Sequence, residues 1–288
     1  MANETPASPS LDQLRRQIDA LDDRIQDLLI GRGELVEAIG GLKRADNIAP
    51  FRPGREAQIL RRLVGRHRGR FPRPALVRIW REILGGTVAM QTDLSVIAFE
   101  GCRDMARDHF GSRVPMIGAP SADEVMLAVA EGRATLGVVP LPDEDDPAPW
   151  WPKLAGGGAG RPRVVARLPF GTVGNAADAY RDAFVVAAME PEASGDDCTL
   201  LVIVVANTVC AADIADAFLK AKFDSNPVAA FAGDNDVAHL FEVAAFLGDG
   251  EPRVDRALAS LPDAPRAAWL GAYARPLPDA ALDGVAPE

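Results

Sequence analysis

Cysteine and histidine are scarce in this chain, three of each among 288 residues. Cys102, Cys198 and Cys210 are scattered and odd in number, which excludes a disulfide framework and suits a reducing cytoplasm. No CxxC pair and no Cys/His cluster is present, so neither a metal nor a cofactor is expected. His67, His109 and His239 stand alone, without a partner at ligand or triad spacing. Hydrolysis through a Ser/His or Cys/His nucleophile is therefore not expected. No apolar run reaches the roughly 18 residues that a membrane span needs. The start, MANETPASPSLDQ, has no basic end followed by an apolar core, and does not read as a secretory signal. A cytoplasmic protein with no membrane partner is expected.

Charge is plentiful and unevenly spread. Residues 1–93 carry 16 Lys and Arg against 12 Asp and Glu, a net charge of +4. The remainder carries 15 against 29, a net charge of −14. An acidic C-terminal two-thirds argues against nucleic-acid binding. The basic run RRLVGRHRGRFPR at 61–73 is interrupted by Gly65 and Gly69, has one aromatic residue, and reads as the solvated end of a helix.

The organising stretch is 11–44. Leu14, Ile18, Leu21, Ile25, Leu28, Arg32, Leu35, Ile39 and Leu42 step by four and three without a break, the seam of one long helix. Ser10 can cap it, with Gln13 completing a capping box. About 30 helical residues span roughly 45–50 Å, longer than any neighbour in the chain. Such a seam needs cover along its whole length, and a second copy running antiparallel across a two-fold axis supplies it. Arg32 interrupts the seam. It either pairs with a nearby Glu or Asp and fixes register, or meets a ligand anion, since a buried arginine is costly without one. Arg15 and Lys43 lie near the same face but roughly 42 Å apart. In an antiparallel dimer, Arg15 of one copy returns beside the Arg32 and Lys43 half of the other. Two cationic pockets result, each built from both copies.

The polar tail 1–9 reads as disordered. A loop bracketed by Pro50 and Pro53 leads to a second helix over about 54–64, with Arg55 and Glu56 in its first turn. A third helix runs from about 74 to 91, with the stripe Leu76, Trp80, Ile83, Thr87 and Met90, and Gln91 one turn beyond Thr87. Thr87 is a second polar member on an apolar stripe, and a back-bond to its own helix is the simple account of it.

The stretches LRRQIDALDDRIQDLLIGRGELVEAIGGLK, FRPGREAQILRRL and WREILGGTVAMQ resemble the all-helical class of chorismate mutase over residues 10–93. The resemblance implies three-helix chains interlocked as dimers. It also implies chorismate as substrate and prephenate as product, through a rearrangement within one molecule. Arg15 of the partner chain and Arg32 would then clamp the two carboxylates. Lys43 and Gln91 would donate to the ether oxygen, and Glu56 would accept from the ring hydroxyl. Arg55 and Thr87 would complete the shell, and Arg52 falls at a pocket position of variable type. A nucleophile is not needed for this chemistry; holding the folded conformer and favouring charge on the ether oxygen suffice.

Strand, helix, strand, helix, strand patterns come next at 95–99, 104–110, 114–120, 122–131 and 135–142, an α/β lobe with a parallel sheet. SADEVMLAVAEGRATLGVVPL resembles the prephenate dehydratase domain. Departures from that family lie at its motifs. Leu141, Pro142, Asp143 and Glu144 succeed the GVVP strand in place of Glu-Asn-Ser. Glu100, Gly101, Cys102 and Arg103 replace a glycine-rich turn, and Thr199-Leu200-Leu201 lacks the arginine of Thr-Arg-Phe. AGGGAGRPR at 155–163 reads as a join where a second lobe is missing. The lobe is thus expected to be degenerate and without dehydratase activity.

Segments 199–205, 211–223, 226–233, 239–247, 254–261 and 267–275 read as β-α-β-β-α-β, a four-stranded antiparallel sheet with two helices on one face. This resembles the ACT regulatory domain, which binds phenylalanine after dehydratase domains. Its ligand motifs are replaced by Thr208-Val209-Cys210 and by residues 229–233, so a packing or dimerisation module is expected. The fold expected overall is multidomain: tail 1–9, an all-α mutase module at 10–93, a dehydratase-like α/β lobe at 94–192, and a ferredoxin-like, ACT-like α+β domain at 193–280. The function expected is chorismate mutase in aromatic amino-acid biosynthesis. The alternatives are a bifunctional mutase–dehydratase, an isochorismate pyruvate lyase, and a non-catalytic regulator of a partner enzyme.

Overall fold

A 35-residue helix, α1 (Leu11–Ala45), realises the long apolar seam, and at 1.5 Å per residue it spans roughly 52 Å. The computed structural model describes residues 9–45, 51–143, 146–156, 160–171 and 180–283, with residues 43–45 and 156 described by backbone alone. Most of the tail expected at 1–9, the loop at 46–50 and the centre of the glycine-rich join at 157–159 lie outside the described residues. The chain divides into two units, residues 1–50 with 90–92 and residues 51–89 with 93–288. No described helix is long and apolar enough to cross a membrane.

In the first unit the expected capping box is present. Ser10 N–H donates to Gln13 Oε1 at 2.7 Å, and Gln13 N–H donates to Ser10 Oγ at 3.2 Å. The apolar seam side chains are exposed, from 42% at Leu14 to 72% at Leu28.

The second unit begins with α2 (Pro53–Arg66) and α3 (Arg73–Ala89). Pro53 opens α2, where its missing N–H leaves nothing unsatisfied. Helix α3 ends two residues short of the expected end, so Gln91 lies in the turn after it. Its buried residues are Val77, Arg81, Leu84 and Val88, spaced four, three and four. The stripe expected from the sequence sits one residue earlier on the helix surface. Leu76, Trp80, Ile83 and Thr87 are half-buried, and Met90, past the helix end in the first unit, is exposed.

Strand β1 (Val96–Phe99), helix α4 (Arg103–Phe110), β2 (Met116–Ala119), α5 (Ala122–Ala130) and β3 (Leu136–Pro140) come in the expected order. Strand β1 pairs in parallel with both β2 and β3. Ser121 caps α5 by accepting from Glu124 N–H. Two further strands, β4 (Arg163–Leu168) and β5 (Ala183–Ala187), are not foreshadowed by the sequence pattern; they pair antiparallel with each other, and β5 with β3. Then come β6 (Asp197–Ala206), α6 (Ala211–Lys220), β7 (Ser225–Ala232), β8 (Asp236–Val243), α7 (Pro252–Leu258), β9 (Arg266–Ala274) and α8 (Asp279–Leu282).

The nine strands among the described residues form one sheet, in the order β2-β1-β3-β5-β4-β9-β6-β8-β7. Residues 94–192 and 193–280, expected to form two modules, therefore share a sheet. The β9-β6-β8-β7 half is antiparallel throughout, as the β-α-β-β-α-β pattern requires. Helices α6 and α7 cover one face of it, where Ile214, Phe218, Val254 and Leu258 pack on Ile203, Phe241 and Trp269. Trp150, Trp151 and Leu154 pack in the core that holds Leu200, Val202 and Leu240 on the other face. The halves meet in parallel at Val164 and Gly271. Gly271 has φ +135°, and a Cβ there would stand 2.1 Å from the Val164 carbonyl oxygen. Only glycine permits this approach.

Helices α2 and α3 are built into the second unit. Ala57, Leu60, Val64, Val77 and Leu84 share a core with Phe170, Ala274 and Leu282. Arg61 donates to Ser194 Oγ at 2.9 Å and to the carbonyls of Asp196 and Arg275 at 2.7 and 2.8 Å. Glu82 accepts from the backbone N–H and hydroxyl of Ser112.

Candidate functional site

The eight site residues expected from the sequence divide between the two units. Arg15, Arg32, Lys43 and Gln91 belong to the first, and Arg52, Arg55, Glu56 and Thr87 to the second.

On α1, Arg15 is exposed and lies 3.5 Å from Asp12 one turn earlier, a pairing of little energetic weight. Arg32 is half-buried, and burial lowers its pKa from the usual arginine value. Lys43 stands in the last turn, and its side chain lies outside the described residues. Gln91 is half-buried. Beside it, Met90 Cε comes within 3.9 Å of where a Cβ on Gly33 would stand, so residues 90–92 approach the Arg32 turn of α1.

In the second unit, Arg52 precedes α2 and forks onto Glu192. Its Nε reaches the two carboxylate oxygens at 3.0 and 2.8 Å, and its Nη2 lies 2.8 Å from Oε2. Arg55 is exposed and donates to Gln58 at 3.3 Å. Glu56, the next residue, is turned about 100° around the helix and is buried. Arg81 Nη1 donates to Glu56 Oε2 at 2.8 Å. Thr87 donates to the Leu84 carbonyl at 2.9 Å, the back-bond to its own helix.

Arg81 is absent from the residues expected from the sequence. The signal was available, because Val77, Leu84 and Val88 place an apolar stripe through position 81. Burial lowers the Arg81 pKa, while the Glu56 charge and hydrogen bond oppose that shift. Its guanidinium lies 5.2 Å from the centre of the Phe170 ring. His109, buried on α4, is pushed well below the usual histidine range by burial first and then by the Arg81 charge. Chemically, the second unit offers a fixed buried carboxylate, and the first offers cations along one helix.

Residues 14–92 match the chorismate mutase type II family. All eight site residues fall inside that range. Among curated relatives, the bifunctional chorismate mutase/prephenate dehydratase of Stutzerimonas stutzeri is 31% identical over 147 residues, covering 48% of this chain and 40% of that protein. The protein of the same description from Aquifex aeolicus is 31% identical over 140 residues, covering 46% and 38%. The chain thus spans about 40% of the length of these relatives. Among solved structures, the prephenate dehydratase of Streptococcus mutans aligns with a TM-score of 0.45 at 14% identity, covering 64% of this chain and 98% of that one.

Proposed function

We propose that the chain is a chorismate mutase, rearranging chorismate to prephenate for aromatic amino-acid biosynthesis without covalent catalysis. The observation that carries the reading is the family match over 14–92, which contains every cation and polar group the chemistry needs. The substrate is a dianion, and the rearrangement places negative charge on its ether oxygen. Arg32 and Arg15 of a second copy would hold the carboxylates through forked hydrogen bonds. Lys43 and Gln91 would stabilise the ether oxygen, and Glu56 would accept from the ring hydroxyl. Arg52, Arg55 and Thr87 would line the site.

A homodimer through α1 belongs to this reading. Leu14, Ile18, Leu21, Ile25, Leu28, Leu35, Ile39 and Leu42 are all more than 40% exposed along a single helix. A contiguous apolar surface of that length is a mark of an interface. An antiparallel copy would cover it and bring Arg15 to the partner's pocket. A cytoplasmic location and an ACT-like, non-effector role for the β6–β9 module complete the reading.

The bifunctional mutase–dehydratase is the second reading, favoured by the description of the relatives. Against it stand the replaced residues 100–103 and 141–144.

Product analysis after incubating the purified full chain with chorismate, with mass measured by light scattering, tests all of this. Prephenate alone from a dimer is the expected result. Phenylpyruvate revives the bifunctional reading. Unchanged chorismate overturns the mutase and moves weight to a non-catalytic regulator.

A further inference from the structure

We propose that Arg81, packed against Phe170 of the C-terminal region, is a positioning residue for Glu56. The inference rests on the mutase reading, in which Glu56 accepts a hydrogen bond from the substrate's ring hydroxyl.

Glu56 is 9% and Arg81 6% exposed, and 2.8 Å separates the donor nitrogen from Oε2. A buried ion pair is a poor way to stabilise a helix pair, because desolvation offsets most of the attraction. The other buried positions of α3 are Val77, Leu84 and Val88, and an apolar residue at 81 would continue that stripe. The charge at 81 therefore has a use besides packing. It favours the ionised form of a nearby carboxylate, and the Arg81 hydrogen bond helps fix which way the Glu56 plane faces. A carboxylate that must accept one hydrogen bond in a set direction is served by both.

Arg81 is itself held from the C-terminal region. Phe170 lies just beyond β4, is 4% exposed, and presents its ring to Arg81 at 5.2 Å and to Arg61 at 5.7 Å. Such contacts fix the guanidinium plane. The groups around the pair include His109 of α4, which is uncharged near neutral pH and adds no second cation, and Arg61 of α2 across the Phe170 ring. The path Phe170–Arg81–Glu56 thus runs from the sheet to a proposed substrate contact within one unit of the structure.

The test uses the full chain and four variants, Arg81→Met, Arg81→Lys, Glu56→Gln and the double variant Arg81→Met/Glu56→Gln, assayed for prephenate formation across the acid and neutral range. Arg81→Met is expected to lose roughly 10- to 100-fold in kcat/KM, mostly in kcat, as misplaced groups do. The acid limb of its pH profile moves to higher pH, because Glu56 has lost the Arg81 charge. In the Glu56→Gln background the same change has little further effect, since Arg81 acts through Glu56. Arg81→Lys keeps the charge and recovers part of the rate. Equal losses in both backgrounds, with an unmoved acid limb, reduce Arg81 to packing and overturn the proposal. If Arg81→Met fails to fold, Arg81→Lys carries the test, and a wild-type kcat in it overturns the proposal. Wild-type protein that leaves chorismate unchanged sinks the mutase reading itself, a different outcome from turnover with an unmoved profile.

Discussion

Gly271→Ala should break the seam that makes two half-sheets one. The added Cβ would lie 2.1 Å from the Val164 carbonyl oxygen, 2.7 Å from its nitrogen and 2.9 Å from its carbonyl carbon. Ordinary contact begins beyond 3.4 Å, so β4 and β9 would have to part by about an ångström. Their pairing at Val164 and Gly271 is lost with that movement, at roughly 1 kcal/mol per hydrogen bond. Placing a non-glycine residue at φ +135° adds about 1–3 kcal/mol. With one such hydrogen bond lost, the sum is a destabilisation of roughly 2–4 kcal/mol, or about 5–10 °C in Tm for a chain of this size. Gly132 supplies the control. It has φ +71° at the end of α5 with nothing within 4 Å of its Cβ position, so Gly132→Ala meets only the conformational term of about 1–2 kcal/mol. Thermal unfolding monitored by circular dichroism compares the two. If Gly271→Ala melts no lower than Gly132→Ala, the close approach of β4 to β9 does not hold the sheet together.

Arg32→Ala and Lys43→Ala should each lower kcat for prephenate formation by roughly 10²–10³, the usual loss for one charge-stabilising donor; near wild-type turnover in either removes that residue from the site. Of the three cysteine thiols, Cys210 is exposed while Cys102 and Cys198 are buried, and burial, then the Glu242 charge, pushes Cys198 up to about 11. A thiol reagent near neutral pH should therefore titrate one cysteine in the native protein and three in denaturant. Because the folded state holds the Cys198 proton more tightly than the unfolded chain, this group's stabilising contribution is complete below its unfolded pKa and falls as pH rises toward about 11. His109 works in the opposite sense. Its folded pKa is depressed, so its contribution is present above roughly pH 6.5 and is lost as pH falls below that value. His109→Gln should flatten the acid side of the stability curve measured by urea unfolding, and an unchanged slope would show that His109 is not the group being protonated.

The long helix was legible because its seam repeats without a break over nine positions, and its capping box was legible because two local side chains make it. The β-α-β-α-β and β-α-β-β-α-β orders were legible for a similar reason, since each strand is a short apolar run between turn residues. Strands β4 and β5 were hidden. Arg163 and Arg167 interrupt β4, and both strands pair with distant partners that no local pattern names. The joining of the two halves was hidden too, since it depends on one glycine in β9 meeting one valine in β4. Among the site residues, Thr87 was legible from its place on an apolar helix stripe and the role of Glu56 came from the family resemblance, but the Thr87 stripe lies one residue away from the buried one. Arg81 was passed over because an arginine between Trp80 and Glu82 reads as surface, and only its partner on another helix makes it internal.

Helices α2 and α3 depend on the C-terminal two-thirds of the chain, and the mutase-like segment should not be separable from it. Ala57, Leu60, Val64, Val77 and Leu84 are each no more than 6% exposed, in a core completed by Phe170, Ala274 and Leu282. Cutting the chain after residue 93 removes those three side chains, the Phe110 backbone packed against Gly85, and Glu192, Ser194 and Asp196, which hold Arg52 and Arg61. Each large apolar residue newly opened to water loses roughly 1.5–3 kcal/mol of burial. Three such residues, Leu60, Val77 and Leu84, already approach the net stability of an ordinary domain. The fragment 1–93 should therefore lose its cooperative melt and the proposed mutase activity together, even though residues 14–92 contain the whole family match. A fragment that melts cooperatively and turns over chorismate like the full chain would mean that α2 and α3 find other cover, and that the C-terminal two-thirds is cargo for the mutase and not its scaffold.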